Sequence, residues 1–475
     1  MVALDISHAS RDRRRSRAVG QERVTPQSVS GKMRRIKWAT LLLCLGVYYL
    51  TPFLRWDRGP GEPSQAVLLD FAHGRLYAFF IEIWPQELYY LTGLLVLAAT
   101  ALVLLNAVAG RVWCGFFCPQ TIWTDLFLLI ERKIEGDRRD RLLKRQAPLT
   151  PRRVAEIAAK HFAWIAVSVA TGGALVLYFV DAPTFLRGVM HGEAPLLMWS
   201  WILIFAGVTY VLAGFAREQV CIFMCPWPRL QGAIWDPEAL TVNYRDYRGE
   251  QRMSAKKAVE FRARGEQAGD CVDCGQCVAV CPIGIDIRQG PNIACINCGL
   301  CVDACDGVMT KLNRPRGLID YEAWTNIERG RRNEAPKLRL ARPKTLALAA
   351  ACVALAGAMG YAFATRSTGA LIVEHDRNPR FVLLSDGDIR NGYDVKIVNH
   401  SGGPHAYSIV AEGLDEGRFE IVGAPANEKF NIPAGESRTL RAMVTSARPD
   451  DAPLRFVARD ESGRAYAAAE KFVVR

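Results

Sequence analysis

Long apolar stretches separated by polar, basic segments dominate the first three quarters of the chain. Five of them reach the length of about 20 residues that a helix needs to cross a bilayer core. They lie at about 36–54, 88–110, 161–180, 195–216 and 345–364. We therefore predict a multi-domain membrane protein containing an α-helical bundle of five transmembrane helices. We expect the first span to be retained, because it starts far from the N-terminus and is too long for a cleaved signal peptide.

The last part of the chain, from about residue 367, instead alternates apolar and polar residues. Tyr393, Val395 and Ile397 alternate with polar neighbours, and so do Tyr407 and Ile409. Further short strands are predicted around 418–422, 438–444, 454–458 and 466–474. Roughly seven short strands separated by Gly-rich turns predict an all-β immunoglobulin-like sandwich. The segment carries no candidate nucleophile or metal cluster, so we expect a binding or docking module.

Basic residues divide unevenly between the segments that flank the apolar stretches. Lys and Arg number 10 through Lys37, three at 55–87, 11 at 111–160, one at 181–194 and 20 at 217–344. Because cytoplasmic loops of membrane proteins are enriched in Lys and Arg, this alternation predicts a cytoplasmic N-terminus and, after five spans, an exterior tail. The net charge of +12 is then mainly a topology signal. No base-stacking or groove-reading motif accompanies the Arg11–Arg17 run, so we expect no nucleic-acid partner.

Eight cysteines between residues 271 and 305 form two copies of one spacing, C-x2-C-x2-C-x3-C. In this spacing three thiolates of each run bind one [4Fe–4S] cluster, and the fourth cysteine binds the other cluster. The predicted ligands of cluster one are Cys271, Cys274, Cys277 and Cys305. The predicted ligands of cluster two are Cys295, Cys298, Cys301 and Cys281. Structural zinc or disulfides are the alternatives, and neither requires the evenly spaced triplet with a trailing cysteine.

Four more cysteines form a second, repeated pattern, C-x3-C-P. Cys114 and Cys118 precede Pro119 after the second predicted span, and Cys221 and Cys225 precede Pro226 after the fourth. An i, i+4 spacing would place each pair on one helical face, one turn apart. We expect the two motifs to pack as equivalents, so that four thiolates converge beside the membrane. Soft sulfur ligands favour Cu(I), zinc or an iron–sulfur cluster, and buried cysteines without a ligand are the alternative.

The remaining candidate residues are weaker. All twelve motif cysteines are predicted on the reducing, cytoplasmic side, and Cys44 and Cys352 are expected to be packing residues within spans. Polar side chains near the outer face could handle a quinol or a copper ion, although solvated loop residues explain them better. They are His73, Glu82, Glu87, Asp181, His191 and Glu193.

These patterns divide the chain into five predicted parts. They are a basic arm at 1–35, a membrane part with four spans at 36–254, a small α+β bacterial-type two-cluster ferredoxin domain at 255–335, a fifth span at 345–364 and the tail at 367–475.

The chain resembles the FixG/CcoG family of cytochrome c oxidase accessory proteins over nearly its whole length after the arm. The resemblance rests on the residues around the two C-x3-C-P motifs, the ferredoxin runs including Cys305-Asp306, and several further segments. They are Trp113-Cys-Gly-Phe-Phe-Cys-Pro-Gln-Thr, Cys221-Ile-Phe-Met-Cys-Pro-Trp-Pro-Arg, Tyr244-Arg-Asp-Tyr-Arg-Gly-Glu-Gln-Arg, Asp376-Arg-Asn-Pro-Arg-Phe and Ile389-Arg-Asn-Gly-Tyr. Other membrane polyferredoxins share the paired C-x3-C-P hairpins, whereas the tail is distinctive.

The resemblance implies a bacterial inner-membrane protein that assists assembly of a heme–copper cytochrome c oxidase. The role it implies is a cupric reductase that converts Cu(II) to Cu(I) before copper delivery, with Cys114, Cys118, Cys221 and Cys225 as the candidate copper site. The expected partners are the oxidase, its copper-delivery factors and an unknown cytoplasmic electron donor, because no nucleotide or flavin motif is present. Two other hypotheses stay open: quinol-linked or periplasmic-reductase-linked electron transfer, and a non-enzymatic copper chaperone or scaffold.

Overall fold

The structure, a computed structural model, divides the chain into two compact units, Met1–Gly357 and Ala358–Arg475. It describes residues 24–58, 62–72, 74–367, 369–401, 403–413, 417–425, 428–433, 435–447 and 453–474. Most of the predicted basic arm and His73 lie outside the described residues. Each unit is described separately below.

Helices make up most of the first unit. In chain order they are α1 (Lys32–Leu50), α2 (Tyr89–Ala109), α3 (Val112–Phe116), α4 (Pro119–Glu135), α5 (Arg138–Gln146), α6 (Pro151–Val176), α7 (Ala182–His191), α8 (Leu196–Thr209), α9 (Trp227–Ala233), α10 (Asp246–Gly249), α11 (Ala255–Ala263), α12 (Gln276–Ala279), α13 (Leu300–Lys311), α14 (Trp324–Arg331) and α15 (Pro343–Ala364). Tyr210–Ala216 and Val220–Met224 are π-helical, and Thr51–Phe53, Pro85–Glu87 and Ile287–Gln289 are short 3-10 turns.

Six helical segments among the described residues are long and apolar enough to cross a membrane. They are Lys32–Phe53, Tyr89–Ala109, Val112–Glu135, Pro151–Val176, Leu196–Ala216 and Pro343–Ala364. Five of them coincide with the predicted spans. The additional segment, Val112–Glu135, is not among the predicted spans, but it is long and apolar enough to cross a membrane. The chain is thus a membrane protein in which several apolar helices are available to span the bilayer.

The additional segment is interrupted; its start lies against the cysteine-rich part of the chain, and its end is linked to that part through Gln27. The helix breaks between α3 and α4, where Cys118 is extended. Near the start of the segment, Gly115 lies against the backbone of Cys298. At its other end Arg132 donates to the carbonyl of Gln27, whose own N–H bonds Ala279. Both ends of the segment are thus connected to the cysteine-rich part, the first directly and the second through Gln27.

A buried ion-pair network joins α4 to its neighbours. Glu131 is 1 % exposed and lies 2.5 Å from both Arg141 of α5 and Arg217, which follows α8. Asp125 likewise pairs with Arg34 and Lys37 of α1, at 3.3 Å and 2.9 Å. Because a buried charge is costly when it is unpaired, these pairs hold the helices in one register.

The cysteine-rich part is an α+β fold built around a two-stranded antiparallel sheet, β4 (Thr241–Tyr244) and β5 (Ile319–Glu322). Val242 and Tyr244 pack in one buried core with Cys271 and Cys277. Residues 241–250, which the sequence prediction placed in the membrane part, therefore belong structurally with the ferredoxin fold. The Asp303 carboxylate accepts bonds from the N–H groups of Met33 and Arg34, at 3.1 Å and 2.7 Å, which caps the start of α1.

Between α1 and α2 the loop predicted at 55–87 contains a small antiparallel sheet. Its strands are β1 (Val67–Asp70), β2 (Arg75–Ala78) and β3 (Ile81–Ile83), in that order. Arg75 pairs with Glu62 and Glu82, at 3.1 Å and 3.3 Å, and lies over the ring of Trp84. These contacts give Glu82 a structural role.

The second unit contains two antiparallel sheets that form an immunoglobulin-like sandwich. Its strands are β6 (Gly369–His375), β7 (Val382–Leu383), β8 (Ile389–Asn399), β9 (His405–Glu412), β10 (Arg418–Ile421), β11 (Phe430–Ile432), β12 (Ser437–Ser446), β13 (Pro453–Asp460) and β14 (Ala465–Lys471). One sheet has the order β10-β12-β8-β6, with β7 beside β8, and the other has the order β11-β9-β13-β14. Sequence patterning predicted the sandwich but located no strand at β6, β7 or β11. The strands β7 and β11 are too short to show alternation.

Alternate residues of the two sheets form the core of this unit. Tyr393, Val395 and Ile397 of β8 are all fully buried, as is Phe456 of β13. The Tyr393 and Phe456 ring centroids lie 5.0 Å apart. The polar–apolar alternation in the sequence thus places one face of each strand in the core, as a sandwich requires.

Replacing Phe456 by alanine is expected to lower the free energy of unfolding of the tail by about 3–5 kcal/mol. The ring is fully buried, so the change removes apolar contacts and leaves a cavity. Urea unfolding of a fragment of residues 366–475 measures the change. Val422→Ala is the control, since Val422 is 57 % exposed; its effect should stay within about 0.5 kcal/mol. Equal effects of the two changes would contradict the assigned core.

Candidate metal centre

The two cysteine runs fold into loops with matching backbone geometry. In the first loop Asp273 and Gly275 have positive φ angles of 53° and 66°, and in the second Asn297 and Gly299 have φ angles of 51° and 71°. Glycine adopts this region without cost, and Asp and Asn tolerate it better than other residues. Each loop then enters a helix, α12 or α13, that carries the third cysteine. The sequence repeat is therefore also a structural repeat.

Each set of four predicted cluster ligands lines one cavity. The first cavity is lined by the four cysteines predicted for cluster one. The second is lined by all four predicted for cluster two, and Cys277 also borders it. Cys305 thus comes from the second run into the cavity of the first, and Cys281 makes the reverse exchange. The geometry fits two clusters with crossed ligation.

Burial makes the thiolate forms of these cysteines unfavourable unless a cation is bound beside them. It raises the pKa of Cys305 to about 12, and the neighbouring thiols Cys277, Cys271 and Cys274 raise it further. It also raises the pKa of Cys295 to about 12, with contributions from Cys298 and Cys281. Because the thiolate is the ligand, cations are needed to stabilise four thiolates in one buried cavity. Bound iron would meet that need.

A single metal ion fits these cavities less well than a cluster. Among the described residues, no three His, Cys, Asp or Glu side chains converge closely enough to hold one ion. A zinc site requires such convergence, since Zn–S distances are about 2.3 Å. In a [4Fe–4S] cluster, by contrast, each thiolate binds a different iron atom. The donor set therefore favours clusters over the zinc alternative.

The two cavities differ in their access to solvent. Cys274, which lines the first cavity, is exposed, whereas Cys298 in the second is buried. Cys298 shares a buried cluster with Cys114, and Cys221 packs against the same cluster. The first cavity is therefore closer to solvent, and the second is closer to the C-x3-C-P motifs.

The two C-x3-C-P motifs are brought together, as the sequence predicted. Burial raises the pKa of the Cys221 thiol to about 12, and Cys118, Cys114 and Cys225 raise it further, while Arg111 opposes them. All four thiols are thus close enough to interact electrostatically. They do not converge on one point, so a single bound ion would have to draw them together.

The predicted helical geometry within each motif is wrong, because only the first cysteine of each pair is helical. Cys114 lies in α3, while Cys118 is extended with ψ 128°. Cys221 lies in the π-helical turn, while Cys225 is extended with ψ 127°. Proline disfavours the helical conformation in the residue before it, which accounts for both extended cysteines. The two thiols of a pair are therefore not stacked on one helical face.

Matches to known families follow the same division of the chain. Residues 216–324 match a 4Fe-4S dicluster domain, and residues 91–135 match a 4Fe-4S binding domain. Residues 359–475 match the IG-like fold at the C-terminal of FixG. The nitrogen fixation protein FixG of Rhizobium meliloti is 42% identical over 442 residues, which cover 87% of this chain and 84% of that protein. The chain belongs to the FixG/CcoG family.

Two further relatives show how far the likeness extends. Protein RdxA of Cereibacter sphaeroides is 44% identical over 431 residues, covering 90% of each chain. The methylamine utilization ferredoxin-type protein MauN of Paracoccus denitrificans is 29% identical over 205 residues, which cover 42% of this chain and 56% of that protein. This FixG/CcoG protein is therefore an iron–sulfur electron-transfer protein of a membrane.

Two buried arginines near the C-x3-C-P motifs of this FixG/CcoG protein were not predicted as site residues. Arg111 donates to the carbonyl of Ile293 in the second cysteine loop, and its charge acts on Cys221. Arg217 pairs with Glu131. The signal was present in the sequence, because each motif is preceded by an arginine, three residues before Cys114 and four before Cys221.

The polar residues predicted near the outer face do not assemble into a site among the described residues. Asp181 pairs with Arg55 at 2.5 Å and caps α7 through the N–H of Thr184. Glu87 accepts a bond from the N–H of Trp84 at 3.2 Å. His191 ends α7, and Glu193 lies in the turn that follows. The interpretation as structural and loop residues fits this part of the chain.

Gly115 lies where the first C-x3-C-P motif touches the second cysteine loop. A Cβ atom there would lie 2.6 Å from the carbonyl oxygen of Ile296 and 3.0 Å from Cα of Cys298. Both are backbone atoms, which cannot rotate away. Only glycine allows this contact between the four thiols and the second cavity.

Gly115→Ala is therefore expected to destabilise the protein by about 1–3 kcal/mol, because the methyl group overpacks this contact. The midpoint of thermal unfolding in detergent measures the loss. Gly173→Ala is the matched control, since Gly173 lies in α6 with no atom within 4 Å of an added Cβ. Alanine is the better helix former, so the control should be neutral or stabilising. Equal losses would contradict the close approach at Gly115.

Proposed function

We propose that this FixG/CcoG protein reduces Cu(II) to Cu(I) at its four C-x3-C-P thiols, using electrons from two [4Fe–4S] clusters. The observation that carries the proposal is the direct packing of Gly115 and Cys114 on the loop of Cys298. This contact places the thiol quartet beside the buried cavity of cluster two. The quartet consists of Cys114, Cys118, Cys221 and Cys225.

The residues of the chain account for the chemistry that copper reduction needs. Each cluster, when bound, supplies one reversible electron. The thiolates of the quartet bind copper and favour Cu(I), so they stabilise the product. Burial of Cys114 limits access of water. Arg111, close enough to act on Cys221, favours its thiolate form.

We further propose that the clusters and the N-terminal arm lie in the cytoplasm of a bacterium and that the tail lies in the periplasm. The distribution of Lys and Arg supports this orientation. The link of the end of Val112–Glu135 to the cysteine-rich part through Gln27 supports five crossings rather than six. In this arrangement the membrane is the inner membrane, and the reducing compartment keeps the cysteines available for clusters.

The physiological role that we propose is to assist assembly of a heme–copper cytochrome c oxidase, with Cu(I) passed to copper-delivery factors. The immunoglobulin-like tail is then available as a docking module on the outer side. The family resemblance supports this role, and the soft-ligand quartet is compatible with it.

Anaerobic mixing of the dithionite-reduced protein, freed of excess reductant, with Cu(II) tests the proposal. Cu(I) formation, followed with a Cu(I)-specific chelator, should match the electrons lost from the clusters one for one. Reoxidation of the clusters without formation of Cu(I) would reject copper as the substrate.

A second candidate function replaces copper in the quartet by a further iron–sulfur cluster. The match of residues 91–135, which include Cys114 and Cys118, to a 4Fe-4S binding domain favours it. The protein would then pass electrons onward without binding copper at the quartet. Iron analysis of the purified protein separates the two cases, because they require the iron of two clusters or of three.

A further inference from the structure

A cavity lies between the end of α2, the helix α9 and the second cysteine loop. Asn106 and Gly110 line it from the α2 side, and Gln231 lines it from α9. Ile293 and Cys295 line it from the loop. A ligand in it would touch a membrane helix on one side and a predicted ligand of cluster two on the other.

Two buried polar side chains in this cavity have atoms without a hydrogen-bond partner. Gln231 is 4 % exposed, and its Oε1 has no partner. Arg111 is 8 % exposed, and its Nε has none. Buried polar atoms are nearly always hydrogen-bonded. Oε1 of Gln231 therefore lacks a donor, and Nε of Arg111 lacks an acceptor. The rest of the lining is largely apolar and includes Trp235 and Pro291.

We infer that this cavity binds the ring of a membrane quinol, which then donates electrons to the clusters. A quinol hydroxyl can donate to Oε1 of Gln231, and a ring oxygen can accept from Nε of Arg111. The apolar walls fit the ring, and Ile293 at the rim is 39 % exposed. Quinols are soluble in the bilayer, which fits a cavity at the end of an apolar helix.

The electron balance explains why two clusters are useful. A quinol loses two electrons and two protons when it becomes a quinone, while each [4Fe–4S] cluster accepts one electron. Two clusters can therefore hold both electrons and release them singly to Cu(II). No carboxylate or histidine lines the described part of the cavity, so the two hydroxyl protons pass to water. The inference rests on the proposed electron-transfer function and names its donor.

The test uses the full-length purified protein with oxidised clusters and two probes. A photoreactive azidoquinone should label peptides containing 227–235 or 291–297, which is a readout independent of activity. Anaerobic decylubiquinol should reduce the clusters, as followed by EPR. Labelling elsewhere only, or no reduction by decylubiquinol, would overturn the inference.

Gln231→Leu removes the acceptor and keeps a side chain of similar size. It should slow cluster reduction by decylubiquinol about tenfold, the effect of one lost hydrogen bond. Gln289→Leu is the control, since Gln289 is exposed and outside the cavity. Dithionite should reduce all three proteins equally. Unchanged kinetics of cluster reduction in Gln231→Leu would overturn the inference. If the dithionite-reduced wild-type protein did not reduce Cu(II), that result would count against the proposed function alone.

Discussion

Cys305→Ser is expected to abolish cluster one and leave cluster two intact, although Cys305 belongs to the second cysteine run. Its side chain lines the first cavity, together with Cys271, Cys274 and Cys277. Serine is a poorer ligand for iron than a thiolate, so the first site loses one of its four ligands. Because one of two clusters is lost, the purified variant should contain about half of the wild-type cluster iron. Iron analysis measures the iron content, and EPR of the reduced protein shows which cluster remains.

The reciprocal variant makes the test specific. Cys281→Ser should remove cluster two and leave cluster one, because Cys281 lines the second cavity. Cys352→Ser is the matched control, since Cys352 is a free cysteine far along the chain in α15, and it should keep all of the iron. If Cys305→Ser instead removed the cluster of its own run, ligation would not be crossed.

The sequence predicted which cysteines line each cavity, because the spacing of the two runs alone indicates the grouping. In each loop the three cysteines stand three positions apart, and the residues with positive φ allow the tight backbone turns between them. These residues are Asp273, Gly275, Asn297 and Gly299. The sandwich was predictable for a similar reason, because the alternation around Tyr393 directly encodes which face is buried. Both signals are local, so one sequence is sufficient to find them.

The parts that the sequence did not predict depend on contacts between distant residues. Residues 241–250 join the ferredoxin fold through pairing of β4 with β5, about 80 positions later in the chain. The Gly115 contact with Cys298 joins two motifs that show no common pattern. The extended Cys118 and Cys225 are an exception, because the rule for residues before proline predicts them from the sequence alone and overrides the i, i+4 spacing.

The combined change Cys114→Ser and Cys221→Ser is expected to lower Cu(II) reduction by dithionite-reduced protein by at least about 100-fold. Loss of residues that merely support metal ligands already costs 10–100-fold. Here one proposed ligand of each C-x3-C-P motif is removed, including the one packed beside Cys298. The rate of Cu(I) formation under anaerobic conditions measures the effect.

The same variant separates copper chemistry from damage to the clusters. Neither changed residue lines the two cluster cavities, so EPR of the reduced clusters should match that of the wild type. Cys44→Ser provides a control within α1 and should reduce copper normally. Undiminished copper reduction in the double variant would reject the quartet as the copper site. Loss of a third of the iron would instead assign the quartet to a further cluster, because removal of two of its four thiols would release that cluster while the other two remain.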